Sequence, residues 1–207
     1  MTIDKKDYLE FLIYPEKEVT KKEKEHITQT VELIESYGLK VYFPLRDTNQ
    51  KDLTGLNIYS QHREVIRKAD AVRLYYNPTS QEIVFNLGMT FMLNKNLFII
   101  NSEAIEKRLT PLEQLIFNYI LRGTSTAEKY PIYPAYHQML VRRNVIKLAR
   151  QIEYEWKNNN WEFLFDFGMS FMEEKPIRLL NRAEVEKKRT NEKSFQNMLL
   201  ELDSMYT

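Results

Sequence analysis

The chain contains no cysteine among its 207 residues, which excludes disulfides, thiolate nucleophiles and cysteine-ligated zinc and fits a reducing, cytoplasmic setting. Its only histidines are His26, His62 and His137, too few for a histidine-rich metal centre; no metal and no cofactor is expected. The five glycines are scattered and spell neither G-x-G-x-x-G nor a P-loop, so nothing supports a dinucleotide dehydrogenase or a nucleoside triphosphatase. Long apolar runs are missing too. The mostly apolar stretch from Tyr8 to Tyr14 is far short of the roughly 20 residues of a membrane helix, and neither signal nor anchor is expected there. Charge of one sign is also absent: 30 basic against 29 acidic side chains leave +1, so no global field draws the protein onto nucleic acid or an anionic membrane.

What remains is an ordinary globular composition, 43% apolar and 29% charged, enough for a sizeable core. "YLEFLIYP" (8–15) is β-rich and ends at proline, a strand signal. "TKKEKEHITQTVELIESYG" places Ile27, Val31 and Ile34 on one helical face and stops at Gly38. "LKVYFP" (39–44) reads as a second strand, followed by a polar loop with Asp47, Asn49, Asp52 and Gly55. A helix over "NIYSQHREVIRKAD" leads to a third strand, "AVRLYYN", and "SQEIVFNLGMTFMLNK" (80–95) to a fourth, "NLFIIN" (96–101). This alternation predicts βαβ units and a doubly wound, mostly parallel α/β sheet. Further on, "TPLEQLIFNYILRG" is a helix with Pro111 early and Gly123 after it, and "KYPIYPAY" is a loop or edge strand. "HQMLVRRNVIKLA" is helical, "QIEYEW" and "PIRLLN" are strands, 182–193 is a charged linker, and Phe195, Met198, Leu199, Leu202 and Met205 mark a last amphipathic helix.

One line is written twice. Laid on each other without a gap, 62–101 and 142–181 share twelve identities in forty positions, among them Arg63/Arg143, Phe85/Phe165, Gly88/Gly168, Phe91/Phe171, Lys95/Lys175 and Asn101/Asn181. This predicts an internal βαβ duplication. The repeated helix is apolar nearly all round, apart from a stripe of Glu82, Asn86 and Thr90 in the first copy and Glu162, Asp166 and Ser170 in the second. Glu82 and Glu162 stand three after Thr79 and Asn159, the spacing of a capping box. A carboxylate at 166, between Phe165 and Phe167, must be paired, exposed or raised in pKa. Gly88 and Gly168 predict a close backbone approach. The basic pairs Arg142-Arg143 and Lys187-Lys188 read as solvated faces, and Tyr75, Tyr76, Tyr130, Tyr133 and Tyr136 as packing.

The stretch "ADAVRLYYNPTSQEIVFNLGMTFMLNKNLFII", with "VYFP" and "IYSQHREVI" before it, resembles the nucleoside 2-deoxyribosyltransferase and 2'-deoxynucleoside 5'-phosphate N-hydrolase superfamily over residues 8–101. The resemblance implies a Rossmann-like sheet of flavodoxin-type order and a nucleoside or nucleotide ligand. It also implies cleavage or exchange of an N-glycosidic bond, and a homo-oligomer. It places the family's nucleophilic glutamate at Asn86, an amide that cannot attack a sugar carbon. It places the family's glycine at Glu82 and, in the transferase branch, the helper aspartate near His62. Ser80, a phosphate contact in the nucleotidase branch, is retained. In the second copy the nucleophile position holds Asp166, and Asn160 replaces the serine.

The expected organisation is therefore a deoxyribosyltransferase-like half (1–101), a duplicated half (102–181), and a linker with a C-terminal helix (182–207). The strand ends offer Tyr14, Arg46, Asn77 and Ser80, and the helices behind them His62, Glu82 and Asn86, as ligand-binding residues. If the protein is catalytic, Asp166 is the carboxylate with Glu162 assisting, and Ser80 or Arg46 holds phosphate. The alternatives are an inactive relative that senses or sequesters such a ligand, or an assembly module docked through the terminal helix.

Overall fold

The computed structural model describes residues 7–15, 19–52, 54–102, 109–122, 124, 131–156, 160–188 and 194–206. The first half runs β1 (Leu9–Ile13), α1 (Lys21–Ser36), β2 (Lys40–Tyr42), α2 (Pro44–Asp47), α3 (Leu56–Lys68), β3 (Ala71–Leu74), α4 (Gln81–Met92), β4 (Asn96–Ile99) and α5 (Pro111–Leu121). The second runs α6 (Pro134–Leu148), β5 (Ile152–Tyr154), α7 (Trp161–Met172), β6 (Ile177–Leu179), α8 (Arg182–Lys187) and α9 (Phe195–Ser204). Four strands form a parallel sheet in the order β2-β1-β3-β4, the flavodoxin-type order, and β5 and β6 form a separate parallel pair. The two halves thus carry two sheets.

Local chemistry accounts for the elements. Thr20 accepts from the Glu23 amide while the Glu23 carboxylate accepts from Thr20 N, so α1 starts at a reciprocal cap, and its Ile27, Val31 and Ile34 are buried. Thr110 and Glu113 repeat that device at α5, with Pro111 in the first turn; Gly123 lies outside the described residues. The anticipated caps on the repeated helices differ. At α4 the capping position is Ser80, whose side chain makes no cap bond, while the Thr79 hydroxyl and amide both donate to Asn77 Oδ1. At α7 it is Asn160, which accepts from the Glu162 and Phe163 amides; Asn159 lies outside the described residues. The polar loop after β2 begins with the short helix α2, because Pro44 presets a helical turn.

The sequence repeat becomes a local two-fold. α4 packs on α7 with Gly88 against Phe165 and Gly168 against Phe85: a Cβ on either glycine would stand 2.1 Å from the carbonyl oxygen opposite. The rings follow the same rule, Phe85 to Phe171 at 5.5 Å and Phe91 to Phe165 at 5.3 Å. So do the cations, with Arg63 over Phe171 at 5.1 Å and Arg143 over Phe91 at 5.2 Å. Reciprocal contacts of this kind, residue i on j and j's equivalent on i's, are what a two-fold generates between subunits, here within one chain. Each copy is also wired alike inside. Lys95 Nζ donates to Arg67 O at 2.8 Å and Lys175 Nζ to Lys147 O at 2.9 Å. Asn101 clamps the amide and carbonyl of Tyr76, and Asn181 those of Trp156.

The C-terminal region carries the expected last helix, α9, and a short helix, α8, at the start of the charged stretch. Arg182–Lys187 is helical, and the remainder of the charged stretch, 189–193, lies outside the described residues. Asp203 on α9 accepts from the Leu179 amide and pairs with Arg182. Phe195 stacks on Tyr59 at 5.1 Å, and Met198 and Leu199 are fully buried. Of the apolar side of α9, Phe195, Met198, Leu199 and Leu202 are buried in this chain's own core, while Met205 is exposed.

Candidate functional site

Four expected ligand residues, Tyr14, His62, Glu82 and Asn86, do converge. They line a recess under the carboxyl end of β1, together with Phe11 and Tyr59. Its volume is about 10 Å³, room for roughly one water. The space is filled by rings: His62 lies 5.3 Å from Phe11 and 5.6 Å from Tyr59, and it is only 3% exposed. Its Nε2 meets Thr48 Oγ1 at 3.2 Å. Glu82 accepts from the Tyr59 hydroxyl at 3.2 Å. Asn86 donates to Glu82 O at 2.8 Å, and its Oδ1 is buried without a partner.

Two expected residues stand elsewhere. Arg46 on α2 donates to Glu35, Asp47 and Val41 O, so its guanidinium is held against α1 and β2 rather than presented to a phosphate. Asn77 accepts from Thr79 and shapes the turn before α4. Ser80 alone faces a larger space.

That space is a cavity of about 300 Å³ bounded by Pro78, Ser80, Gln81, Val84, Trp161 and Leu164. Trp161 and Leu164 hold the repeat positions of Gln81 and Val84, so the cavity lies across the local two-fold, between the first turns of α4 and α7. Ser80 is 1% exposed, and its hydroxyl has no protein partner. With that side chain not spent on a cap, a helix N-terminus, favourable to anions, borders the cavity on one side and an indole on the other. About 300 Å³ is at the small end of the ligand-cavity range.

In the second copy the triad His62, Glu82, Asn86 becomes Arg142, Glu162, Asp166. Arg142 Nη1 donates to Asp166 Oδ2 at 2.7 Å and Nη2 to Glu162 Oε2 at 2.8 Å, so one guanidinium clamps both candidate catalytic carboxylates. Burial pushes the Asp166 carboxyl up to about 6, against the pull of Arg142, and Oδ1 is buried without a partner. Arg142 is thus paired with two carboxylates rather than standing on a solvated face, and Arg143 lies on Phe91. Both were visible in the overlay, where Arg142 falls on His62 and Arg143 on Arg63; Trp161, the missed cavity wall, falls on Gln81.

Among the described residues no three side chains of metal-ligating type lie together, and no helix is long and apolar enough to cross a membrane. No protein-family model, curated protein or solved structure matches the chain.

Proposed function

We propose that the protein binds a nucleoside 5'-phosphate-type ligand in the cavity between α4 and α7 and does not cleave it. The cavity itself carries the reading: the first turn of α4 at its edge, with no capping bond from the Ser80 side chain, suits a phosphate, and the Trp161 indole opposite suits a base. The resemblance of the first half to nucleotide-processing enzymes supports the same ligand class. Chemistry at the family's position is disfavoured by Asn86 and by a recess too small for a sugar. The protein then acts as a sensor or sequestering partner of its ligand.

A second reading, N-glycosidic cleavage by Asp166 with Glu162 assisting, is favoured by one observation, the partnerless Oδ1 of a carboxyl whose proton affinity is raised. Arg142 argues against it, because its clamp on Oδ2 competes with attack on a sugar carbon.

Thermal unfolding with deoxynucleosides, their 5'-monophosphates and inorganic phosphate tests the binder. A monophosphate at 100 times its Kd stabilises by about 2.7 kcal/mol. Trp161→Ala weakens that ligand by about 1–3 kcal/mol, the worth of one base stack. A flat panel overturns the proposal and favours an assembly role. Release of free base that disappears in Asp166→Asn establishes the second reading instead.

A further inference from the structure

The local two-fold relates not only α4 to α7 but the grooves at their C-terminal ends, and these grooves differ. At the end of α4 the groove is filled from α5. The Tyr119 ring packs 5.1 Å from Phe91, and its hydroxyl donates to Thr90 O and Lys95 O. Arg122 lies over the Tyr119 ring at 3.8 Å and donates to the carbonyls of Asn94 and Lys95. One aromatic ring and one cationic nitrogen donor thus close the C-terminal turn of the helix, where exposed carbonyls and the macrodipole favour positive charge.

At the end of α7 the same frame is present. Phe171 stands for Phe91, Arg63 for Arg143, Lys175 for Lys95, and Glu174 takes the left-handed turn of Asn94, φ 54° against 57°. Among the described residues, the helices after β6 bring no ring-and-guanidinium pair to it: Leu202 of α9 and, beyond its end, Met205 and the half-exposed Tyr206 line the groove, and Asp203 is turned to Leu179 and Arg182. The result is a cavity of about 510 Å³, well within the range of small-molecule sites, with Leu56, Ser60 and Arg63 of α3 as its other wall.

We propose that this cavity binds a small molecule carrying an aromatic ring and a cationic nitrogen, an arylalkylamine or arylguanidine, in the way the opposite groove holds Tyr119 and Arg122. The ring packs against Phe171, and the cation meets the carbonyls of Glu174 and Lys175, the repeat counterparts of Asn94 O and Lys95 O; those of Phe171 and Met172 are already held by Arg63 and Arg67. The charge balance agrees. The filled groove accepts the Arg122 guanidinium beside Arg143 and Lys95 with a neutral Asn94, whereas in the open one the same turn carries the Glu174 carboxylate, which also pairs with Arg63 at 2.7 Å and Arg67 at 3.6 Å. The site lies at the other end of α7 from the Ser80–Trp161 cavity, about 18 Å away for a helix of 12 residues. It does not rest on the nucleotide reading.

The probe is tyramine, titrated by calorimetry beside 4-ethylphenol, its counterpart without the ammonium, and 4-hydroxyphenylacetate, its anionic counterpart. Saturable tyramine binding is expected, at least tenfold tighter than either. Ser60→Trp, which fills the cavity from its α3 wall, abolishes it. Glu174→Asn, which copies the first groove and suits the left-handed turn, weakens tyramine several-fold and leaves 4-ethylphenol unchanged. Trp161→Ala leaves both unchanged. Absence of saturable tyramine binding to the wild-type chain, tighter binding of the anion, or tyramine binding that survives Ser60→Trp in a folded variant overturns the proposal.

Discussion

The two copies of the repeated helix differ chiefly in what lies over them. In the first, β1 covers the polar stripe, and Phe11, Tyr14, Tyr59 and His62 close over Asn86. In the second, the described residues hold only β5 and β6, and Arg142, Glu162 and Asp166 occupy the same three positions with partial access to water, their side chains 32%, 35% and 18% exposed. The substitutions follow the cover. Under a strand and rings, neutral Asn86 avoids the cost of burying a charge; where water reaches, a carboxylate pair with a shared guanidinium is tolerable. The difference teaches that a duplicated frame can keep its backbone contacts while each copy adopts the chemistry its surroundings permit.

The largest effect available is to break the frame itself. Gly88→Ala and Gly168→Ala each put a methyl 2.1 Å from a backbone oxygen that cannot rotate away. Each is expected to cost about 3 kcal/mol or more, against the roughly 1 kcal/mol alanine gains in helix propensity. By the two-fold the two losses are alike, and the double variant loses less than their sum, because the first methyl already parts the helices. Equilibrium denaturation of the three variants measures this, and a neutral or stabilised single variant breaks the comparison.

The next effect sharpens the contrast at 86 and 166. Folding holds the Asp166 carboxyl at about 6, above its ordinary value, so the folded state binds that proton more tightly than the unfolded chain. The corresponding stability is fully present below about pH 4 and is lost as pH rises through about 6, on the order of 2–3 kcal/mol. Asp166→Asn is expected to remove that segment of the stability–pH curve and to match or exceed the wild type at pH 7.5. An unchanged curve, followed by denaturation across pH 4 to 8, contradicts the assignment.

The smallest effect concerns Arg46, the expected phosphate holder. Arg46→Ala removes surface pairs with Glu35 and Asp47 and is expected to cost about 1 kcal/mol or less, while nucleotide affinity changes less than twofold. A large loss of affinity would restore Arg46 to the site.

The layout was legible because its signals are local and periodic: the β-rich runs at 9–13 and 71–74, the apolar spacing of α1, and a repeat that named Gly88 and Gly168 as points of close approach. The site was legible only in part. Tyr14 from a strand end and His62, Glu82 and Asn86 from the helices behind line one recess, but how much room remains among them depends on rings from α3 and β1, which no spacing rule weighs. Arg46 was misplaced because the helical turn of α2 points it back to Glu35, eleven residues earlier. Trp161 became a cavity wall only through the two-fold, which joins residues eighty positions apart.

The most direct test of the binding account is a crystal structure with a deoxynucleoside 5'-monophosphate. The account predicts the phosphate at the first turn of α4 beside Ser80 and the base against Trp161. A ligand seated instead among Tyr14, His62 and Asn86, or in contact with Asp166, would contradict it.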